Sequence, residues 1–406
     1  MHPPDSARPR PRLLYLCQQN PWRLSGGALI RNYWIARALA DRFDVDLVTA
    51  DDETPPPPDY GARFRSIRGF ARPRGKLARV RRAVASLRPG SSLLTAGTVT
   101  PALRAHLARA SATADYRAVM YDLNMLEALP PRVPRIYHAH NCETLLLRRR
   151  AAIEKLPTRL VVAVDAKRFE AVEARVLREA RLVVACSRAD VGDFESLHAV
   201  AAAPMAVVPN GVDVAGYASV RDVPIGERVA VITGSYDWRP NQLGLEWFAA
   251  DVLPELSAIA AGRPYTIRVA GRMSENYAHK LRSHRPLELV PNPEDMKAVL
   301  AAASVVVAPI IASSGTRLRI LEAWAAGRPV VTTPEGAFGL EFSDGADLVV
   351  RDKADPRAFA RALWELLDDP AEQHRVATGG LARSHAYDWP TLGGGLVRAV
   401  EAAVLT

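Results

Sequence analysis

Cysteine is scarce in this chain: Cys17, Cys142 and Cys186 are the only three in 406 residues. They are widely spaced and form neither a zinc-ligand pattern nor a disulfide framework, so each is expected to pack near a strand end in a reducing compartment. Long hydrophobic runs are missing as well. The longest, such as 301–312, fall short of the roughly 20 residues that cross a bilayer, so no transmembrane helix is expected. The first twelve residues are rich in Pro and Arg and contain no apolar signal region, which makes a cytoplasmic protein the natural reading. No G-x-G-x-x-G follows the first strand or any other, and no P-loop, H-E-x-x-H or G-x-S-x-G occurs, which removes the commonest dinucleotide, phosphate-loop, zinc-protease and hydrolase signatures. Nothing resembles an RRM, OB or zinc-finger pattern, so nucleic acid is not an expected partner. Short-period repeats and low-complexity tails are absent.

What is present suits a folded two-domain protein. The length exceeds one typical core, and 49% hydrophobic with 24% charged residues is ordinary for a globular chain. The net charge of +9 needs a reason. Basic residues gather in Arg63–Arg88 and again at Arg148, Arg149 and Arg150. Solvated helix faces account for such runs as well as a polyanionic partner does. Within Lys76–Leu87, however, Leu77, Val80, Val84 and Leu87 alternate with arginines, the pattern of an interfacial helix on an anionic membrane surface. The location expected is therefore cytoplasmic and peripheral, at the inner face of the membrane.

Short β-branched runs alternate with helical patterns through both halves. In the first half, strands are expected at Leu13–Leu16, Val45–Val48, Ala118–Tyr121, Ile136–His138, Leu182–Ala185 and Met205–Val208, with helices over Ala28–Ala40 and Leu160–Ala180. Pro55–Pro58 reads as a loop. In the second half the strands are Val229–Thr233, Thr266–Ala270, Leu287–Val290, Ser304–Val307 and Val330–Thr332. Helices fill Leu243–Ile259, Pro293–Ala302, Thr316–Ala326 and Pro356–Leu367. This alternation argues for α/β architecture with parallel sheets covered on both faces. The boundary is expected within Val212–Glu227.

The most informative stretch runs from Ser313 to Val331. A small polar loop, Ser313–Thr316, opens a helix with one acid, Glu322, two turns in, followed by Gly327-Arg328-Pro329 and a β-branched strand. Such a helix start offers free N–H groups and a favourable dipole to an anion, so a diphosphate there and a sugar hydroxyl at Glu322 would describe a nucleotide-sugar pocket. An acid in an apolar helix needs a partner, and ribose hydroxyls can supply one; a structural pair with Arg319 is the plain alternative. Ser314 serves equally as a simple helix cap.

This segment resembles the donor signature of the retaining glycosyltransferases of the large family 4. Three other stretches resemble the same family in its order and spacing: Gly26-Gly27, Val208–Asp213 and Gly234–Asn241. The resemblance implies the GT-B fold, two Rossmann-like domains with parallel sheets facing across a cleft. It implies an acceptor-binding domain over 1–215, a nucleotide-sugar-binding domain over 216–388, and a C-terminal helix, 389–406, that crosses back to the first domain. By the same resemblance His140 contacts the transferred sugar and Glu322 the ribose, these two being the catalytic candidates. The donor is expected at Gly26, Gly27, Arg239, Ser314, Gly315, Thr316, Arg317, Arg319 and Glu322. His138 competes with His140, and a packed histidine is the ordinary alternative for either. Asp122 and Glu143 are acceptor candidates. Gly26-Gly27 as a plain tight turn is the competing view.

The sequence also departs from the family pattern. Ser314 stands where many members have a first glutamate, and Ser235 and Asn241 stand where an Arg and a Lys often hold the diphosphate; Arg239, Arg317 or Arg319 could replace that charge. Glycine, threonine, arginine and leucine before Glu322 resemble one subgroup of the family. The function this implies is sugar transfer with retention from a nucleotide-diphosphate donor to a glycan, lipid-linked or small-molecule acceptor in bacterial envelope glycoconjugate synthesis. No cofactor beyond the donor substrate is implied. No metal is expected either: Asp44-Val45-Asp46 looks like D-x-D but opens a strand, at the end opposite the ligand. A sugar-nucleotide epimerase or hydrolase of the same fold, and a non-catalytic nucleotide- or polyanion-binding protein, remain alternatives.

Overall fold

The computed structural model describes residues 10–24, 26–88, 90–130, 132–198, 203–225, 228–282, 287–311 and 318–405. It divides the chain into two compact units, Met1–Pro209 with Leu392–Thr406, and Asn210–Thr391. Ser314, Gly315, Thr316 and Arg317 of the expected donor loop lie outside the described residues.

The first unit is built on seven parallel strands: β1 Arg12–Cys17, β2 Asp44–Thr49, β3 Ser66–Gly69, β4 Tyr116–Asp122, β5 Arg135–His138, β6 Leu182–Ala185 and β7 Met205–Val207. Their order is β3-β2-β1-β4-β5-β6-β7, with β1 central and paired to β2 and β4 in parallel register. Central strands such as β1 and β6 are buried almost end to end, whereas edge strands β3 and β7 show partial exposure. That is why the central ones read as continuous apolar runs, and why the short, arginine-bearing β3 was not anticipated.

The second unit has six parallel strands: β8 Val229–Thr233, β9 Thr266–Gly271, β10 Leu287–Pro291, β11 Val305–Ala308, β12 Val330–Thr332 and β13 Val349–Val350. The order is β10-β9-β8-β11-β12-β13. Both sheets therefore reverse direction of growth once, at β1/β4 and at β8/β11. In open parallel sheets of this kind the strand ends at such a reversal leave a crevice where loops diverge and ligands bind.

Most expected elements fall within a residue or two of the observed ones. The helix expected over Leu243–Ile259 instead starts at Arg239, runs to Trp247, passes through one π turn at Phe248–Val252 and continues over Leu253–Ala260. Pro254 explains the widened turn, because it has no N–H for the helical ladder and its ring crowds the preceding turn. Pro58 likewise opens a one-turn helix, Pro58–Gly61, rather than closing a loop; proline at a first helical position costs no hydrogen bond. The last helix, Trp389–Val404, begins in the second unit and has its body in the first. There Gly393 packs against Ala38, and Arg42 pairs with Glu401.

Candidate active site

In the first unit, the reversal at β1/β4 holds a connected polar network. Asp122 ends β4 and His138 ends β5, and the two are register partners. Helix Gly27–Ala40 contributes Arg31 and Asn32, both buried, from its inner face. The Nε of Arg31 donates to His138 Nε2 at 2.7 Å. His138 Nε2 is thus the acceptor, which leaves the ring proton on Nδ1, 3.0 Å from the Tyr15 hydroxyl and 3.3 Å from Asp122. Tyr15 in turn donates to Asn32 Oδ1, and Asn32 Nδ2 donates to Asp122 at 2.8 Å. Gln18 N–H and His140 Nε2 also reach the Asp122 carboxylate, each at 3.2 Å.

Burial alone would raise the Asp122 pKa, but the bonds from His138 and His140 outweigh it and hold the group well below the usual carboxylate range. His138 is pushed the other way, down to about 3, first by burial and then by neighbouring His140, so it stays neutral. His138 is wholly buried and bonded within this network, and it borders the same cavity as His140. His140 is the one that reaches the surface, partly exposed beside a cavity of about 110 Å³. The same cavity is lined by Asp122, Glu143, Gln18, Asn32 and Asn124, so the structure brings His140, Asp122 and Glu143 together. It also meets Ala28 and Leu29 of the helix that Gly26 caps and Gly27 begins. A side chain added at Gly26 would meet open space. Glu143 opens the helix Glu143–Ile153, and burial raises its pKa against an opposing bond from Asn141.

In the second unit, the reversal at β8/β11 places Gly234 and Ser235 at the end of β8 and helix Leu318–Ala325 after β11. Two close approaches shape the floor. A Cβ on Gly271, at φ +138°, would fall 1.8 Å from the Gly234 carbonyl, and one on Gly244 would fall 1.8 Å from the Pro309 carbonyl. Neither side chain is possible there. Arg319 crosses this floor and donates to Asn241 Oδ1 at 2.8 Å, while Asn241 Nδ2 donates to the Ser235 carbonyl at 2.8 Å. Arg272, following β9, donates to Ser235 Oγ at 3.0 Å and pairs with Asp237 at 2.9 Å. Arg239 is turned elsewhere, paired with Glu246 at 3.1 Å.

Glu322 is partly exposed on the same helix as Arg319. Its neighbour is the buried Tyr217, whose hydroxyl favours the ionised carboxylate. Burial pushes Glu322 up to about 7, against the opposing bond from Tyr217 and the charge of Arg319. Lys297 lies 5.2 Å over the Tyr217 ring and donates to the Gly216 carbonyl. One acid, poised between charge states, therefore stands beside a guanidinium and bare backbone.

Residues 25–215 match a family model described as Glycosyltransferase Family 4, and residues 227–369 match one described as Glycosyl transferases group 1. The chain is 27% identical over 233 residues to a glycogen synthase of Mycobacterium tuberculosis, covering 56% of this chain and 55% of that protein. A phosphatidyl-myo-inositol mannosyltransferase of Mycolicibacterium smegmatis is 30% identical over 205 residues, 48% of this chain and 51% of that protein. The chain thus spans about half the length of the curated relatives it matches. Among solved structures, a sucrose-phosphate synthase of Thermosynechococcus elongatus superposes with a TM-score of 0.67 at 18% identity, over 97% of this chain and all of that one. Anabaena Alr3699/HepE, solved with UDP-glucose, gives 0.62 at 18% over 96% and 99%.

The chain has the GT-B fold of glycosyltransferases.

Among the described residues of this GT-B chain, two groups of side chains offer ligand atoms close together, and both are engaged in hydrogen bonds. Asp122, His138 and His140 offer ligand atoms close together, but the Arg31 guanidinium occupies His138 Nε2 and would repel a cation. In the buried trio Cys142, Glu173 and His198, Glu173 accepts from the N–H groups of Glu143 and Thr144 and pairs with His198 at 2.9 Å, so it anchors a helix start. Asp46 of the Asp44-Val45-Asp46 stretch accepts from Arg65, Ser66 and Tyr116. Sequence reading missed Tyr217, Arg272, Gln18, Asn32 and Asn124. Tyr217 follows the Val208–Asp213 motif closely and Arg272 follows a strand-ending glycine, so position after a motif or strand was the available signal.

Proposed function

We propose that this protein transfers a sugar from a nucleotide-diphosphate donor to a hydroxyl acceptor with retention of configuration, in bacterial envelope glycoconjugate synthesis. The observation that carries the reading is Glu322, partly exposed one helical turn after Arg319, whose guanidinium approaches the Gly234 backbone at the β8/β11 reversal. A carboxylate there accepts from ribose hydroxyls, and the Arg319 and Arg272 guanidinium groups suit a diphosphate that gains charge as the glycosidic bond breaks. Gly315 and its neighbours in the donor loop would add backbone N–H groups to the same anion.

On the acceptor side, His140 orients the transferred sugar, and Asp122 holds its imidazole through Nε2, leaving Nδ1 for substrate. Gln18, Asn32, Asn124 and Glu143 offer the mixed donors and acceptors that a polyol needs. No described carboxylate stands as an evident nucleophile, which accords with the front-face displacement proposed for the family that the sequence resembles. UDP-glucose in the Anabaena structure makes uridine nucleotides the first donors to try.

The test is turnover of UDP-sugars with and without a glycan or polyol acceptor, read by nucleotide release and by the anomeric configuration of the product. The expected result is acceptor-dependent release with an axial-to-axial or equatorial-to-equatorial outcome. Equal release without acceptor would indicate the hydrolase or epimerase alternative, and binding without release the non-catalytic one.

A further inference from the structure

The helix Lys76–Ser86 is packed inside out. Its inner positions carry Ala78, Arg82, Ala85 and Ser86, while Leu77, Val80, Val84 and the adjoining Leu87, spaced to share one face, point to solvent. A second set of exposed aliphatics, Leu156, Leu160, Val161 and Val164, covers the start of helix Thr158–Glu179. All eight are between 55% and 70% exposed. The two helices are tied together: Arg168 donates to the carbonyls of Ser86 at 2.7 Å and Arg88 at 3.0 Å, and Asp165 accepts from Leu93 N–H at 2.8 Å. Single exposed aliphatics are common, but a set of eight on two joined helices marks an interaction surface.

Charge identifies what covers it. From Tyr60 to Ala114 the sequence contains no acidic residue. Lys76, Arg79, Arg81 and Arg88 make no ion pair among the described residues. Arg72, Arg74, Arg79, Arg82 and Arg88 line a groove of about 670 Å³ along the same helix. Two copies of so basic a surface would repel each other. Nucleic acid offers phosphates but nothing for a stripe of Leu and Val without aromatics. An anionic bilayer offers phosphates above hydrocarbon, in the order that cations flanking an apolar stripe require. No described helix is long and apolar enough to span a membrane, so the contact is interfacial.

We infer that helix Lys76–Ser86 and the start of helix Thr158–Glu179 dock on an anionic lipid bilayer, with lipid phosphates in the arginine groove. This does not depend on the transferase reading. The test is flotation of the full chain with vesicles of phosphatidylcholine alone and of phosphatidylcholine with an equal amount of phosphatidylglycerol. The chain should float with the mixed vesicles only. Partitioning should fall about tenfold in Leu77→Ser/Val84→Ser and in Arg79→Glu/Arg81→Glu, while melting temperature and nucleotide binding stay at wild-type values. Failure of the wild type to float, flotation with both vesicles equally, or variants that float like wild type would each overturn the inference. So would a concentration-dependent dimer that the Leu77→Ser/Val84→Ser variant abolishes, since the face would then be covered by a second copy. Nucleotide binding that survives a failed flotation leaves the transferase reading intact.

Discussion

Asp122 ends β4 of the first domain and Glu322 lies on the helix after β11 of the second, and their surroundings drive them in opposite directions. Asp122 accepts from Gln18, Asn32, His138 and His140, and these donors keep it ionised despite full burial. Among the described residues the Tyr217 hydroxyl and the charge of Arg319 favour ionised Glu322, and burial outweighs them. The contrast shows what each domain does with an acid. In the first domain the carboxylate is a fixed strut for a histidine that borders a cavity. In the second, burial holds the group towards its neutral form, where any added donor would favour ionisation.

The largest expected effect comes from removing the strut. Asp122→Asn replaces an all-acceptor group with one that presents N–H to donors already in place, and should cost about 2–4 kcal/mol of stability. His140→Ala, at a partly exposed position, should cost less than about 1 kcal/mol while still lowering turnover. Urea denaturation of both variants, with activity measured in parallel, separates strut from substrate contact. Equal destabilisation by the two substitutions would erase the distinction.

A smaller effect sharpens the other half of the comparison. Glu322 has a folded pKa near 7, above its unfolded value, so the folded state binds the extra proton between about pH 4.5 and 7. Stability contributed by Glu322 is therefore lost as pH rises through that window, by roughly 1–3 kcal/mol. Asp122 has the opposite sign: its contribution is present above the ordinary carboxylate pKa and is lost as pH falls towards its depressed folded value. Thermal melts of wild type and Glu322→Gln at pH 5 and pH 8 should show the variant gaining on the wild type at the higher pH. Parallel pH dependence in the two proteins would contradict the assignment of this titration to Glu322.

Much of the fold was legible because its central strands are buried on both faces and are read as apolar runs bounded by turn residues. Val229–Thr233, Leu182–Ala185 and Val330–Thr332 match the expected spans residue for residue. Strand β3, polar and at an edge, carries no such signal, and the π turn before Pro254 is a local response that periodicity does not encode. Candidate site residues could be named where a motif marked them, as with His140 and Glu322. Their supporting cast could not: Tyr15, Arg31 and Asn32 meet Asp122 only because β1, β4 and helix Gly27–Ala40 converge, and nothing local announces that meeting. Arg239 is a contrasting case. Its place in a motif suggested a phosphate contact, but Glu246 lies two turns along its own helix and captures it, whereas Arg272, outside the quoted motifs, faces Ser235.

The measurement that tests the central claim most directly is calorimetric titration of UDP, GDP, ADP and TDP into wild type and Glu322→Ala at pH 6 and pH 8. One nucleotide should bind selectively to the wild type, more tightly at pH 8, where Glu322 is ionised and accepts from the ribose, and the variant should lose both the binding and its pH dependence. Absence of binding by any nucleotide, or an unchanged isotherm in Glu322→Ala, would contradict the placement of the donor at Glu322.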